Sequence, residues 1–136
     1  MPAPLYVHLP SGGTLPALGP APFIALVIAD NVVMDDWRDD VCERLAGSGC
    51  RYLVAWGQDC VGWAHAMGKS AGENMIVTAA VEDEPLAEAM WFAVHETHHP
   101  AVTLEGLVIV HVTPRARRDE IHFQFHSAAM REKPGI

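Results

Sequence analysis

The chain has 136 residues, half of them apolar, and its 17 acidic side chains against nine Lys and Arg give a formal net charge of −8 at pH 7. This length suffices for one domain with its own core. The acidic balance argues against general nucleic-acid binding, which requires clustered Lys and Arg. No apolar run reaches the length of a membrane span, so we expect neither a nucleic acid nor a membrane as a partner.

The cysteines and the first residues indicate a compartment. Three cysteines without a C-x-x-C spacing do not suggest a disulfide framework or a zinc ribbon. The opening segment, Met1-Pro2-Ala3-Pro4, lacks the charged leader and the apolar stretch of a secretory signal. We therefore expect a cytoplasmic protein, where thiols stay reduced.

The chain begins with a segment rich in Pro and Gly, residues 1–21, in which Leu5, Val7 and Leu9 alternate with polar or aromatic residues. That alternation predicts one short edge strand. Residues 22–130 are expected to form a single α/β domain, and residues 131–136 to be a frayed C-terminus.

Four apolar runs without alternation predict strands that are covered on both faces, as in parallel sheets. They are residues 23–29, 52–56, 75–81 and 107–112. Three helical patterns separate them. The first carries Met34, Trp37, Val41 and Leu45 at spacings of three and four.

The ends of the predicted helices carry capping signals. Asp30 and Asn31 are expected to cap the first helix, and Asp59 the second. The third is expected to close at His98-His99-Pro100, because proline forbids continuation. Farther on, residues 121–126 alternate strictly, which favours an antiparallel or edge strand.

Strands that alternate with helices predict an α/β fold, a three-layer doubly wound sandwich whose mainly parallel sheet has four core strands. The terminal segments are the expected edge strands. Numbering the core strands along the chain, we expect the spatial order 2-1-3-4. In such sheets ligands bind beyond the carboxyl ends of the strands.

Acidic residues follow three of the predicted strands at that edge. Asp30, Glu82 and Asp83 are the candidate metal ligands, since hard divalent cations prefer carboxylate oxygens. Helix capping and compensation of the helix dipole explain the same acids without a cation.

Cys60, with Asp59 beside it, is the candidate catalytic residue. A thiol at a strand-to-helix turn is expected to have its pKa lowered by the helix N-terminus, which favours a nucleophile. His65 is a poor partner for it, about a turn and a half along the helix. The alternative is a small buried cysteine that packs beside Trp63 and Met67.

A histidine cluster provides an alternative metal site. His95-Glu96-Thr97-His98-His99 matches the H-E-x-x-H pattern of zinc enzymes, and the three histidines, His95, His98 and His99, are its candidate ligands. Pro100 argues against it, because the second ligand would lie on a frayed last turn. Imidazoles at a helix C-terminus are the alternative explanation.

Tryptophan is frequent, with four in the chain. Most are expected in the core, and any excess of apolar helix surface would form an interface. We therefore expect a small binding or assembly domain that acts as a homodimer or on a protein partner. The alternative is a small hydrolase-like enzyme that uses a divalent cation or Cys60.

Three stretches of the sequence carry a resemblance. They are Ser48-Gly49-Cys50-Arg51-Tyr52, then Ala55-Trp56-Gly57-Gln58-Asp59-Cys60 with Trp63, and Asp83-Glu84-Pro85-Leu86 with Trp91-Phe92-Ala93 and His95. Over roughly residues 22–112 the chain resembles an uncharacterised family of small bacterial α/β domains. The resemblance implies no activity. The chain lacks the G-x-G-x-x-G loop of dinucleotide-binding folds.

Overall fold

The computed structural model describes residues 4–131. Residues 1–3, and residues 132–136 of the segment expected to be frayed, lie outside this range. The strands are β1 (Leu5–His8), β2 (Phe23–Ala29), β3 (Cys50–Gly57), β4 (Val77–Val81) and β5 (Gly106–Val112). The helices are α1 (Asp35–Ser48), α2 (Cys60–Ser70), α3 (Leu86–His95) and α4 (Arg118–Met130).

The strands form one parallel sheet in the order β1-β5-β2-β3-β4. The expected order of the core strands was wrong, because the third of them, β4, lies outside β3 and does not neighbour β2. The chain steps outward twice, from β2 to β3 to β4, and then crosses back to place β5 on the other side of β2. The direction of winding therefore reverses between β2 and β5.

Two helices cover each face of the sheet. One core includes Val27, Leu45 and Trp63 and lies under α1 and α2, whereas the other includes Leu26, Met90 and Phe125 and lies under α3 and α4. The expected three-layer α/β class is thus confirmed. The sheet has five strands, because β1 pairs with β5 as the predicted edge strand.

The segment at 121–126 is helical, so the strand expected there was wrong. Ile121, Phe125 and Ala128 are buried at spacings of four and three, and they pack with the core under α3. Phe123, which a strand would have placed on the same face as Phe125, is 74% exposed. Tertiary packing decides for the helix, because a helical face with a 3.6-residue period lets these side chains pack with α3 and the core beneath it.

Gly57 sets the geometry at the end of β3. Its φ is +101°, and a Cβ at this position would overlap the carbonyl oxygen of Ala29. The next residue, Gln58, donates its backbone N–H to that oxygen at 2.8 Å. Glycine therefore allows β3 to turn into α2 against the end of β2. Among residues 4–131, no helix has the length and apolarity that crossing a membrane requires.

Candidate functional site

A concave cleft lies at the carboxyl ends of β3 and β4, where the polypeptide enters α2 and approaches α3. Its volume is about 370 Å³. The residues that line it come from these strand ends and the turns that follow: Trp56, Gly57, Asp59, Cys60, Val61, Val81, Glu82, Asp83 and Glu84. The structure thus brings together four of the residues singled out in the sequence, Asp59, Cys60, Glu82 and Asp83.

Two corners of the backbone shape this cleft. Asp59 and Asp83 both adopt left-handed conformations, with φ of 55° and 57°. Aspartate enters this region more readily than most residues, although it costs more than it does for glycine. Each corner turns a strand end sharply, so that the acidic side chains at both turns border the same space.

The carboxylate of Asp59 is held by a cation from α1. Arg38 donates from its guanidinium to Asp59 Oδ2 at 2.7 Å, and it also contacts Asp35 and Asp39. Gly62 makes room for this pair, because a Cβ there would lie 2.5 Å from both Asp59 carboxylate oxygens. Asp59 precedes α2 as expected, but its side chain makes no capping hydrogen bond to that helix.

The Cys60 thiol is buried at the base of the cleft, with its Sγ 3.9 Å from the carbonyl oxygen of Val81. Burial raises its pKa above the ordinary value of 9.0, and the negative charge of Glu82 adds to the effect. The expectation of a lowered pKa was therefore wrong. Desolvation and nearby acids outweigh the helix N-terminus, and the group stays a thiol at neutral pH.

Trp56 and three carboxylates form the rest of the wall. The Trp56 indole donates its Nε1–H to the carbonyl oxygen of Glu84 at 2.7 Å, which fixes the ring beside the acidic turn. Within the described part of the chain, no Lys or Arg forms an ion pair with Glu82, Asp83 or Glu84. The cleft therefore combines an aromatic ring with uncompensated negative charge.

Asp30, the third candidate metal ligand, lies in a different place. It follows β2 at the point where the winding of the sheet reverses, and its Oδ2 accepts hydrogen bonds from His111 at 2.9 Å and from Arg117. It does not cap α1 as expected, because that helix begins only at Asp35, after Met34. Asp30 instead ties the ends of β2 and β5 to the start of α4.

A buried hydrogen-bond chain extends from Asp30 into the sheet. Tyr6 donates its hydroxyl hydrogen to His111 Nδ1 at 2.7 Å, and the Tyr6 oxygen accepts the backbone N–H of Arg117 at 3.0 Å. His111 is fully buried, and its Nε2–H donates to Asp30. Desolvation lowers the pKa of His111. Burial alone would raise the pKa of Asp30, but hydrogen bonds and nearby positive charge lower it, and the hydrogen bond from His111 is the largest of these effects.

Sequence reasoning missed this network, although one signal was present. His111 is a polar residue inside an otherwise apolar predicted strand, and a buried imidazole requires partners for both nitrogens. The partners could not be predicted from the sequence, because Tyr6 and Asp30 are 105 and 81 residues away from His111 in the chain. Asp30, His111 and Arg117 thus pair with one another at the switch point where α/β sheets commonly bind ligands.

The three histidines of the alternative metal site are separated by the end of α3. The helix ends at His95, so its expected extension to His98 and His99 was wrong. His95 hydrogen-bonds the carbonyl oxygen of Ala129, while His99 is buried and bonds that of Met75. Across residues 4–131, no group of three or more His, Cys, Asp or Glu is placed to hold a metal ion. Both metal sites remain predictions.

Comparison with known proteins agrees with the resemblance seen in the sequence. The model of a family described as a domain of unknown function (DUF7684) matches residues 4–128. No curated protein matches the chain, and no solved structure does.

Proposed function

The chain belongs to the family of this domain of unknown function, and we propose that it is a binding domain whose ligand, a small organic cation, occupies the cleft at the ends of β3 and β4. The observation that carries the proposal is the cleft wall, in which the Trp56 ring stands beside the unpaired carboxylates of Glu82, Asp83 and Glu84.

The size and chemistry of the cleft support such a ligand. A volume of about 370 Å³ falls in the range of small-molecule sites. An aromatic face attracts a cation through its quadrupole, and a carboxylate adds a charge-assisted hydrogen bond to an N–H donor. A flat amidinium or guanidinium group offers both contacts at once. Anionic ligands such as phosphates are disfavoured by the same charges.

The state of Cys60 favours binding over the hydrolase-like alternative. A thiol nucleophile needs a thiolate and a base within hydrogen-bond reach. Here the pKa of Cys60 is raised by burial, and its Sγ faces the carbonyl oxygen of Val81, which offers no basic nitrogen. Cys60 then acts as a packing residue at the base of the cleft.

The test uses two probes of matched shape and different charge, benzamidine and benzamide. NMR titration of the full chain follows the indole N–H signal of Trp56, assigned with the Trp56→Phe variant. We expect benzamidine to shift this signal saturably in the millimolar range and benzamide to leave it unchanged. The double variant Glu82→Gln/Asp83→Asn should weaken benzamidine binding by about tenfold or more, the loss expected for hydrogen bonds to charged groups.

Asp36→Asn/Glu43→Gln provides the matched control, because these two exposed residues of α1 lie outside the cleft and the double variant also loses two negative charges. It should bind benzamidine like the wild type. The proposal is wrong if benzamidine fails to saturate, or if benzamide binds as well, or if Glu82→Gln/Asp83→Asn keeps the wild-type affinity.

A further inference from the structure

We infer that a second copy of this chain docks on the free edge of β4, with the two β4 strands antiparallel across a two-fold axis at Ala79. The two parallel sheets would then join into one continuous sheet. This inference rests on the free edge of β4 and does not depend on the proposed ligand, although the cleft acids that follow β4 border the same interface.

The two edges of the sheet differ in how they are protected. β1 is only four residues long and is flanked by Pro4 and Pro10, which blunt it against pairing. β4, Val77-Thr78-Ala79-Ala80-Val81, has no proline, no charge and no register irregularity, and all five residues are half-buried. Its outer backbone groups pair with no other strand among residues 4–131. An edge of this kind is a template for another strand, and an antiparallel copy of itself complements it.

Helix α2 fits such a dimer. A two-fold axis normal to the sheet keeps both α2 helices on the same face, and α2 packs over the β3–β4 pair. With strands about 4.8 Å apart, each helix axis would lie about 5 Å from the two-fold axis. The two helices would then be about 10 Å apart, at the upper end of helix packing distances. The small residues Ala64 and Gly68 on the exposed side leave room for this contact, which the larger Val61 and His65 border.

Charge is complementary in the same arrangement. Lys69, in the last turn of α2, lies toward the amino end of β4, whereas Glu82, Asp83 and Glu84 follow its carboxyl end. Antiparallel pairing brings the lysine of each copy toward the acids of the other. One lysine against three carboxylates leaves the cleft acidic.

Native mass spectrometry and disulfide trapping test the interface on the full chain. We expect the wild type to be a dimer at micromolar concentration, and Thr78→Lys to weaken the dimer by about tenfold or more, because the two lysines would then be diagonal neighbours across the axis on the same face of the joined sheet, about 7–8 Å apart. Ser48→Lys, which adds the same charge at the exposed end of α1, should leave the dimer unchanged. The Ala79→Cys variant should form an intermolecular disulfide under mild oxidation, since directly opposed antiparallel residues lie about 4.5–5.5 Å apart.

The native cysteines give no background in this test, because Cys42, Cys50 and Cys60 are all buried. Phe123→Cys, on the exposed side of α4, is the control and should not cross-link. A monomeric wild type overturns the inference. So does a dimer that cross-links through Phe123→Cys and not through Ala79→Cys, and so does a Thr78→Lys variant that dimerises like the wild type.

Discussion

At the scale of single residues, the most consequential contact is the bond between His111 and Asp30. It joins a fully buried imidazole on β5 to a carboxylate after β2 whose side chain is 25% exposed. Removing one partner of such a pair leaves the other unsatisfied in a poorly solvated place, which costs more than the bond contributes. The network therefore holds the ends of β2 and β5 together and fixes the start of α4.

The pKa directions of this pair predict an acid-sensitive fold. His111 has a lowered pKa relative to 6.5, so the unfolded chain binds this proton more readily than the folded chain. Its contribution to stability is present above about pH 6.5 and is lost as the pH falls through that value toward the folded pKa. Asp30, whose pKa is lowered from 3.8, contributes above that value and adds a second loss below it. Urea unfolding between about pH 7.5 and about pH 5 should show the first decline.

The variant His111→Gln separates this titration from the rest of the protein. We expect it to lower the free energy of unfolding at about pH 7.5 by about 1–3 kcal/mol, since Tyr6 and Asp30 lose a partner. It should also flatten the decline toward about pH 5. His126→Gln, at an exposed position of α4, should keep the wild-type decline. An unchanged slope in His111→Gln would contradict the role given to this residue.

At the scale of elements, α4 is where local pattern and structure disagree. The stretch Ile121-His122-Phe123-Gln124-Phe125-His126 alternates as a strand does, and nothing within it excludes that conformation. The extension to Ala128 decides for a helix, because the buried side chains follow spacings of four and three on the face toward α3. A neighbouring layer with an apolar surface supplies the free energy that local propensity does not.

Two phenylalanines test this assignment directly. A strand would place Phe123 and Phe125 on the same face and make their truncations equally costly. In the helix, Phe125 is 4% exposed and Phe123 is 74% exposed. We expect Phe125→Ala to lower the free energy of unfolding by about 3–5 kcal/mol, and Phe123→Ala to change it by less than about 0.5 kcal/mol, as measured by urea unfolding. Equal losses would be inconsistent with α4.

At the scale of the whole molecule, the order of the strands decides where chemistry lies. Because β4 lies outside β3, the acids after β4 share a cleft with Asp59 and Cys60, whereas Asp30 lies at the reversal between β2 and β5. The order expected from the sequence would have placed the end of β4 beside that of β2. The separation of the cleft acids from Asp30 and its hydrogen bonds thus follows from the strand order.

The same topology predicts a gradient of local stability across the sheet. β2 is buried at every residue and is paired on both sides, whereas β1 is short and lies at an edge. In hydrogen exchange measured by mass spectrometry, we expect the amides of β2 to exchange only through global unfolding and those of β1 to exchange much earlier. Amides of β1 that stay protected as long as those of β2 would contradict this arrangement.

Local patterns of apolar residues in the sequence determined most of the strands and helices of this protein. Apolar runs such as 23–29 and, apart from His111, 107–112 form buried strands, and the stripe that contains Val41 and Leu45 predicts α1 correctly. The hydrogen bonds of Asp30, which does not cap α1, and the pKa of Cys60 depended instead on residues distant in the chain. Only the tertiary structure decided the strand order, the helix at α4 and the bond from Asp30 to His111. These features rest on desolvation and long-range contacts, whose free energy is set by neighbours that no local window of the sequence contains.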